Sequence, residues 1–309
     1  MLRPCISHAA AIMNNSIDDQ FRLISEAGFK CIDFNIDIFL PGRLIESGEF
    51  CELFDSDIST ILEFFKPYKE AAKKYGLEFF QAHAPFQLYV DGRDDINEKC
   101  YDVIEKTLAI CDYLDCRYVV VHPPVLSWLH DKEYEMKTDL EYYRRCIPFV
   151  KKYNVVICLE NMFRTVQRHI TEASCSDVSE AVYYIDTLNS EAGGEYFGFC
   201  FDLGHMNLLG KNVKENLIKL GKRIKLLHIH DNDGIQDHHA IPFSYSRNWG
   251  QNLVTDWNGF IEGLKAIGFT NDVDFEVGAG CTVVPKELRS AVLKYVYEIA
   301  NYFCEKIKQ

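Results

Sequence analysis

The sequence has 309 residues, of which 48% are hydrophobic and 26% are charged, and its formal net charge is −13. This composition is ordinary for a globular protein, and the length suits one large domain or two ordinary ones. The negative charge disfavours nucleic acid as a partner, because binding to a phosphate backbone relies on clustered Lys and Arg. No apolar run approaches the roughly 18 residues that a membrane helix needs, so no membrane partner is expected.

The twelve cysteines are scattered along the chain, and no two of them form a C-x-x-C pair. Several lie inside apolar runs such as VVICLE and FGFCFD. A free Cys packs as a small hydrophobic residue. The first residues do not resemble a secretory signal. We therefore expect reduced core thiols and a cytoplasmic protein.

Eight short β-rich runs follow one another along the chain, at 4–8, 31–36, 77–83, 118–122, 155–160, 197–202, 225–230 and 272–277. Segments with helical spacing of apolar residues separate most of them, as at Ile17, Phe21 and Ile24, which precede Gly28. Strands that alternate with helices predict parallel βαβ units. Eight units favour a single (β/α)₈ TIM barrel over residues 1–309. An open doubly wound sheet would normally show a Gly-rich phosphate turn after a strand.

Three longer segments follow predicted strands, at 35–58, 123–141 and 231–256. In a barrel these are βα loops on the catalytic face, where specificity elements usually lie. Five aromatic residues near these loops are candidates for stacking on a sugar face, although core packing is the commoner role of such residues. They are Phe86, Trp128, Phe243, Trp249 and Trp257.

Residues with metal-binding side chains stand at or near the ends of six consecutive predicted strands. They are His83, His122, Glu160, Asp202, His228 with His230, and Glu276. A single His or Glu at such a place is more often structural, but six strands that share the feature favour a common purpose. Buried carboxylates and imidazoles need partners, and a divalent cation would satisfy all of them.

Four of these residues form a mixed oxygen and nitrogen set, namely Glu160, Asp202, His230 and Glu276. This set suits Zn²⁺ or Mn²⁺, and also Mg²⁺ or Co²⁺. His228 lies two residues before His230 and therefore points to the same side of its strand, deeper in the barrel. We expect it to support the ligands or to fill the core.

Further candidates lie in the segments that follow the strands. His205 is expected at the mouth of the site, and Asp237 and His239 have the D-x-H spacing that brings two side chains to one point. Arg164 and Arg168 follow Glu160 closely and are candidates for binding a substrate phosphate or carboxylate. Exposed arginines in loops are usually only solvated.

At these residues the sequence resembles the xylose isomerase-like barrel superfamily, which includes sugar isomerases, sugar epimerases and the abasic-site endonuclease group. The resemblance runs from the third predicted strand to the eighth. Its motifs are HAPF (83–86), HPP (122–124), LENM (159–162), FDLGH (201–205), HIHDND (228–233), DHH (237–239) and FEV (275–277). These motifs are specific for the superfamily and much less specific for one activity within it.

The resemblance implies a metal-dependent sugar or sugar-phosphate isomerase or epimerase. Residues that match Glu160, Asp202, His230 and Glu276 hold one metal in such enzymes, and the two glutamates flank the sugar. A metal that polarises a carbonyl acidifies the neighbouring C–H, so one carboxylate can remove a proton and the other return it. Glu160 and Glu276 are then the acid/base pair. His205, His83, His122 and Arg164 are the predicted substrate contacts.

The resemblance also leaves a metal-dependent phosphodiesterase open, because abasic-site endonucleases bind three metals and this sequence retains all nine matching positions. The three sets are His83, His122 and Glu160; Asp202, His230 and Glu276; and His205, Asp237 and His239. One to three metal ions per chain are therefore expected. The charge of −13 and the loop IDIFLPGRLIESGEF do not suit duplex DNA.

A third hypothesis is a barrel that binds a sugar without turning it over. Ketose 3-epimerases carry an Arg six residues after the metal-binding His, where this chain has Gln236. This difference disfavours a ketohexose epimerase. Family members are often dimers or tetramers, so a homo-oligomer is possible.

Overall fold

A computed structural model describes residues 2–12, 15–247 and 252–309. The strands are β1 (Pro4–Ser7), β2 (Cys31–Asn35), β3 (Glu78–His83), β4 (Tyr118–Val120), β5 (Val156–Glu160), β6 (Phe163–Val166), β7 (His169–Glu172), β8 (Phe197–Asp202), β9 (Ile224–His228), β10 (Ser246–Arg247), β11 (Asn252–Leu253) and β12 (Val273–Phe275). The helices are α1 (Ile17–Ala27), α2 (Gly42–Ser47), α3 (Glu52–Asp55), α4 (Ile58–Tyr75), α5 (Asp94–Tyr113), α6 (Lys132–Arg145), α7 (Ile147–Tyr153), α8 (Val178–Ala192), α9 (Leu203–Leu208), α10 (Val213–Leu220), α11 (Trp257–Ile267), α12 (Gly278–Thr282) and α13 (Arg289–Lys308).

Eight strands form one sheet in the order β12-β1-β2-β3-β4-β5-β8-β9. The pairings of β1 with β2 and β12, and of β4 with β3 and β5, are parallel. The two end strands also meet, because Ile229 forms a parallel bridge to Phe275. Ile229 N donates to Asp274 O at 3.1 Å, and Glu276 N donates to Ile229 O at 3.1 Å. The predicted (β/α)₈ barrel is therefore confirmed.

Each of the eight predicted β-rich runs overlaps one strand of this sheet. The structure also contains an antiparallel hairpin of β6 and β7, which the sequence did not predict. The segment predicted as a loop over 123–141 is partly helical, because α6 begins at Lys132. Asp131 accepts a hydrogen bond from Tyr134 N and caps this helix, which ends the loop early.

The helix boundaries follow local chemistry, as α1 illustrates. Ser16 accepts a hydrogen bond from Asp19 N at its start, and Gly28 ends it with a φ of 116°. Phe21 and Ile24 are fully buried on one face of this helix. The helical spacing in the sequence is thus confirmed. Two separate constraints require glycine at position 28. Its φ is positive, and an added Cβ would collide with the ring of Tyr297.

The chain divides into two compact units. The first comprises Met1–Phe34, Tyr68–Phe80 and Cys200–Gln309, and the second comprises Asn35–Pro67 and Gln81–Phe199. The first unit contains a buried aromatic cluster in which Phe34 packs edge-on against Tyr68 and Phe79. In the second unit Tyr142 packs edge-on against Tyr143. A single domain over 1–309 stays a prediction.

Two negative findings concern the described ranges. No helix within them is long and apolar enough to cross a membrane. Eleven of the twelve cysteines are buried, and none forms a disulfide bond in the part of the chain that the structure describes. Their burial confirms that they pack as core residues.

Candidate metal centre and active site

The second unit gathers three predicted ligands at the ends of neighbouring strands. His83 ends β3, Glu160 ends β5, and His122 lies two residues beyond β4. His122 Nε2 is 3.0 Å from His83 Nε2 and 3.0 Å from Glu160 Oε2. One ligand atom from each residue lies within 4.8 Å of the others, so these three side chains could hold one metal ion. We call them the histidine–glutamate cluster.

The orientation of His83 suits a metal ligand. Its Nδ1 is 2.8 Å from the carbonyl oxygen of Ala84. A carbonyl only accepts hydrogen bonds, so Nδ1 carries the proton and Nε2 of the neutral ring keeps its lone pair. This lone pair points towards His122. Metal-binding histidines are commonly fixed in this way by a backbone carbonyl on the other ring nitrogen.

The first unit gathers Asp202, His205 and His230, whose ligand atoms also lie within 4.8 Å of one another. Asp202 ends β8 and caps α9, since its Oδ1 accepts a hydrogen bond from His205 N at 2.6 Å. The other oxygen, Oδ2, is 3.2 Å from His230 Nε2. The helix start thus fixes the carboxylate and leaves one oxygen facing the imidazole. All three residues are buried.

The D-x-H motif adds to this group. Asp237 Oδ1 is 3.6 Å from His230 Nε2, and Asp237 Oδ2 is 3.5 Å from His205 Nε2 and 3.0 Å from His239 Nε2. His239 stacks on the His230 ring with 4.1 Å between centroids. The structure therefore brings Asp202, His205, His230, Asp237 and His239 together, and we call these five residues the D-x-H cluster.

Glu276 lies beside this cluster, just after β12. Its Oε2 is 3.3 Å from His228 Nδ1 and 3.6 Å from His239 Nδ1. The carbonyl oxygen of Glu276 is 3.1 Å from His239 Nδ1, so this nitrogen donates to it and Nε2 faces Asp237. His228 is fully buried, in keeping with a supporting role behind the ligands.

The electrostatics of the cluster fit a bound cation. Burial alone would raise the pKa of the Asp237 carboxyl, but His205 and His239 hold it well below its usual range. Burial alone would lower the pKa of His239, but Glu276 and Asp237 raise it to about 10. In the metal-free protein, a proton on His239 therefore balances negative charge at Asp237 and Glu276.

Two polar atoms in the cluster lack hydrogen-bond partners among the described residues. They are Asp237 Oδ1 and His230 Nδ1, and both are buried. Burying such atoms unpaired is costly. The donor set, with its unsatisfied carboxylate oxygen at the centre, therefore fits a divalent ion.

Arg164 lies on β6 and is held by protein groups. Its Nη2 is 2.9 Å from Glu135 Oε2, and its Nε donates to the carbonyl oxygen of Glu172 at 2.9 Å. Glu135 is itself buried and accepts a hydrogen bond from Ser174 at 2.8 Å. Sequence reasoning missed Glu135, which precedes Arg164 by 29 residues. A substrate contact through Arg164 stays a prediction. A substrate would have to compete with Glu135 for the guanidinium.

The predicted aromatic residues have different environments. Phe86 packs edge-on against His122, with 5.0 Å between ring centroids, and is 40% exposed, so it is available to a ligand beside the histidine–glutamate cluster. Phe243 and Trp257 both pack on Phe303 in the first unit, where Trp257 is buried and Phe243 is partly exposed. Trp128 is exposed. Trp249 lies outside the described residues.

Known proteins of similar sequence and structure include sugar-converting enzymes. Inosose isomerase of Bacillus velezensis is 23% identical over 285 residues, which cover 89% of this chain and 88% of the relative. The crystal structure of 3-keto-D-glucoside 4-epimerase from E. coli superposes with a TM-score of 0.69 and 16% identity, covering 98% of this chain and 100% of that one. The IolI protein with a bound zinc atom superposes with a TM-score of 0.63 and 18% identity, covering 99% and 98%.

A family model places the chain more firmly than these pairwise likenesses. The model for xylose isomerase-like TIM barrels matches residues 21–294, which is most of the sequence. The matched range contains the histidine–glutamate cluster, the D-x-H cluster and Glu276. The chain therefore belongs to the xylose isomerase-like TIM barrel family.

Proposed function

We propose that the protein is a metal-dependent sugar or sugar-phosphate isomerase or epimerase. The observation that carries the proposal is the buried group of Asp202, His205 and His230, whose ligand atoms lie within 4.8 Å of one another. Similarity to an inosose isomerase and to a 3-keto-D-glucoside 4-epimerase supports the substrate class.

In this proposal Glu160, Asp202, His230 and Glu276 bind one divalent ion, Zn²⁺ or Mn²⁺. Carboxylate oxygens and imidazole nitrogens suit either ion. The likeness to IolI with its zinc atom supports Zn²⁺. A divalent ion bound there would supply Lewis acidity, which favours loss of a proton from a carbon next to a carbonyl.

Glu160 and Glu276 are the proposed acid/base pair, and each has an imidazole within reach of its Oε2. His122 Nε2 is 3.0 Å from Glu160 Oε2, and His228 Nδ1 is 3.3 Å from Glu276 Oε2. These contacts hold each carboxylate in one orientation, which general acid–base catalysis requires. One of the two glutamates then takes the proton from carbon, and the other returns a proton to carbon.

A second candidate is phosphodiester hydrolysis, which the D-x-H cluster favours specifically. Asp237 and His239 bring ligands beyond those that one metal ion needs. Several metal ions in one site can stabilise both the attacking and the leaving oxygen. The net charge of −13 disfavours duplex DNA as the substrate.

Metal content separates the first two candidates. Protein purified without chelator is analysed for metal per chain, together with His239→Ala. We expect about one ion per chain that the variant keeps, because Asp202, His230 and the glutamates suffice. His238→Ala is the matched control, since His238 is adjacent but faces Asp233. Two or three ions, with one lost only in His239→Ala, would favour hydrolysis. No metal after soaking with Zn²⁺ or Mn²⁺ would refute the proposal.

Solvent deuterium tests the chemistry directly. Ketoses, aldoses and their phosphates are incubated in deuterium oxide, and incorporation at carbon is measured by mass spectrometry. We expect incorporation with the wild-type protein and its loss in Glu160→Gln, because a carboxamide cannot accept the proton. Exposed Glu133→Gln should retain the wild-type rate. Cleavage of an abasic duplex would support the second candidate, and sugar binding without either activity would support a non-catalytic barrel.

Two further properties remain predictions. The buried thiols suit a reducing compartment, so a cytoplasmic location is inferred. A homo-oligomer is inferred by analogy, because members of the family are often dimers or tetramers. Analytical ultracentrifugation would measure the oligomeric state.

A further inference from the structure

Two fully buried polar residues, Asp231 and Asn232, follow His230 directly in the chain. Neither is a ligand of the proposed ion or a member of the D-x-H cluster. Buried polar side chains are kept where hydrogen bonds satisfy them. The partners of these two side chains therefore show which parts of the first unit they hold in place.

The side chain of Asn232 is bonded to α9 on both sides of His205. Its Nδ2 donates to the carbonyl oxygen of Gly204 at 2.9 Å. Its Oδ1 accepts hydrogen bonds from Asn207 Nδ2 at 2.6 Å and from Gly234 N at 3.0 Å. An Asn side chain offers one amide donor group and one acceptor oxygen, and both are used here. Asn232 therefore fixes α9 at the two positions that flank His205.

The helix α9 needs such support because it has only six residues. Isolated helices shorter than about 12 residues are barely stable in water, so tertiary contacts decide where α9 lies. Asp202 at its start and His205 within it belong to the D-x-H cluster, and Gly204 lies against the ring of His230. A shift of α9 would therefore move two members of the cluster and displace a third.

The backbone that carries Asn232 is itself fixed through Asp231. The N and O atoms of Asp231 pair with Ala240, at 2.8 Å and 3.0 Å. Its carboxylate accepts hydrogen bonds from Thr255 Oγ1 at 2.7 Å, from Tyr245 N at 3.0 Å and from Asn232 N at 3.0 Å. Asn232 thus projects from an anchored segment, so its side chain can hold α9 in place.

We propose that Asn232 is a positioning residue of the metal centre. It acts through α9, which it holds so that Asp202, His205 and His230 keep the arrangement of the D-x-H cluster. The part that concerns the ion rests on the proposed function, whereas the contact between Asn232 and α9 exists in the metal-free chain. Two measurements separate these parts.

Hydrogen exchange of the metal-free protein, followed by mass spectrometry, tests the hold on α9. Asn232→Ala removes three hydrogen bonds, so the peptide that contains α9 should exchange at least tenfold faster, relative to the rest of the chain, than in the wild type. Val296→Ala controls for a general loss of stability, because Val296 is fully buried in α13. In Val296→Ala, exchange of α9 should not rise relative to the rest of the chain. Wild-type exchange of α9 in Asn232→Ala would overturn the proposal.

Co²⁺ binding tests the effect on the metal centre, because the visible spectrum of this ion depends on the geometry of its ligands. Asn232→Ala should change the spectrum and weaken binding by roughly 10- to 100-fold, as the loss of a supporting contact usually does. Val296→Ala should keep the wild-type affinity and spectrum. Faster exchange of α9 with wild-type affinity and spectrum would show that Asn232 supports only the helix, which overturns the proposal. A wild-type protein that binds no Co²⁺ would refute the proposed function and the role at the metal centre, while the exchange result would stand.

Asn207→Ala is a milder variant that decides the matter if Asn232→Ala does not fold. It removes the contact of 2.6 Å and should weaken Co²⁺ binding by about three- to tenfold. In the Asn232→Ala background it should have no further effect, because both substitutions remove the same bond. Asn216→Ala is the matched control, since Asn216 lies on α10 and donates to Asn212 O at 2.7 Å. Unchanged Co²⁺ binding in Asn207→Ala, or effects of the two substitutions that simply add, would overturn the proposal.

Discussion

Gly204 lies flat against the imidazole ring of His230, so that a Cβ on residue 204 would overlap the ring atoms. The contact arises because α9 begins directly after Asp202 and turns its second residue towards His230. The side chain of Asn232 also donates to the carbonyl oxygen of Gly204, at 2.9 Å. This part of the backbone is therefore fixed, and His230 must move if residue 204 gains a side chain.

Gly204→Ala is expected to displace His230 and weaken metal binding by roughly 10- to 100-fold, as disturbing the support of a ligand usually does. Overpacking should also lower the free energy of unfolding by about 1–3 kcal/mol. Competition with a chelator measures the metal affinity, and urea unfolding measures the stability. In the control, Gly194→Ala, an added Cβ meets only the side chain of Tyr196. Unchanged metal affinity in Gly204→Ala would contradict the prediction.

The strand ends show what the sequence can predict. The alternation of β-rich and helical segments predicted that His83, Glu160 and Asp202 lie at strand ends. It also predicted that they share one face, because every strand of a parallel barrel ends on the same face. The D-x-H spacing predicted that Asp237 and His239 converge, and they do, at 3.0 Å. Local periodicity and short spacing carry this information in the sequence itself.

Long-range pairings are what the sequence could not predict. Arg164 meets Glu135 because the β6–β7 hairpin folds against the start of α6, and no local pattern encodes that meeting. The steric demand on Gly204 was equally hidden, since it depends on the ring of a residue 26 positions later. Both relationships follow from packing, which a single sequence does not display.

Asp202 has two separable tasks, and Asp202→Asn distinguishes them. Its Oδ1 caps α9 through His205 N, and its Oδ2 faces His230. Asn is as good an N-cap as Asp, so the metal-free variant should unfold within about 1 kcal/mol of the wild type. Loss of the anionic ligand should lower metal affinity by at least 100-fold, since a neutral amide replaces a charged oxygen.

The measurement pairs urea unfolding of the metal-free protein with chelator competition for Zn²⁺. Asp202→Ala, which removes both tasks, should lose stability as well as metal. If Asp202→Asn binds metal as tightly as the wild type, Asp202 is only a helix cap.

Arg164 is expected to stabilise the folded protein through its ion pair with Glu135. Its guanidinium forms a partly buried ion pair with Glu135, which is buried. Arg164→Ala would leave this carboxylate short of a partner, and we expect a loss of about 2–4 kcal/mol in the free energy of unfolding. The KM tests the predicted substrate contact separately. A KM that rises about tenfold for a sugar phosphate, but not for the free sugar, would support a phosphate contact, and a KM unchanged for both would leave Arg164 with the structural role alone.

The buried carboxyl of Asp139 makes the stability of the protein depend on pH. The residue lies fully buried on α6, with Tyr184 Oη 3.4 Å from its Oδ2. Burial raises its pKa to about 8, while Ser174 and Lys132 lower it and Glu135 and Glu180 raise it. In the unfolded chain an Asp titrates near pH 4. Between about pH 4 and pH 8, the folded protein therefore holds a proton that the unfolded chain has lost.

Because the folded state binds more protons over that range, this residue makes stability fall as pH rises, by at most about 1.4 kcal/mol per pH unit. Asp139→Asn keeps the shape without the titration, so its advantage over the wild type should be absent near pH 4 and grow up to about pH 8. Urea unfolding of the metal-free proteins at pH 5, 7 and 9 measures this difference. Exposed Glu133→Gln should track the wild type at each pH. A difference that is constant with pH would show that the Asp139 carboxyl is ionised in the fold, and that Lys132 compensates its burial.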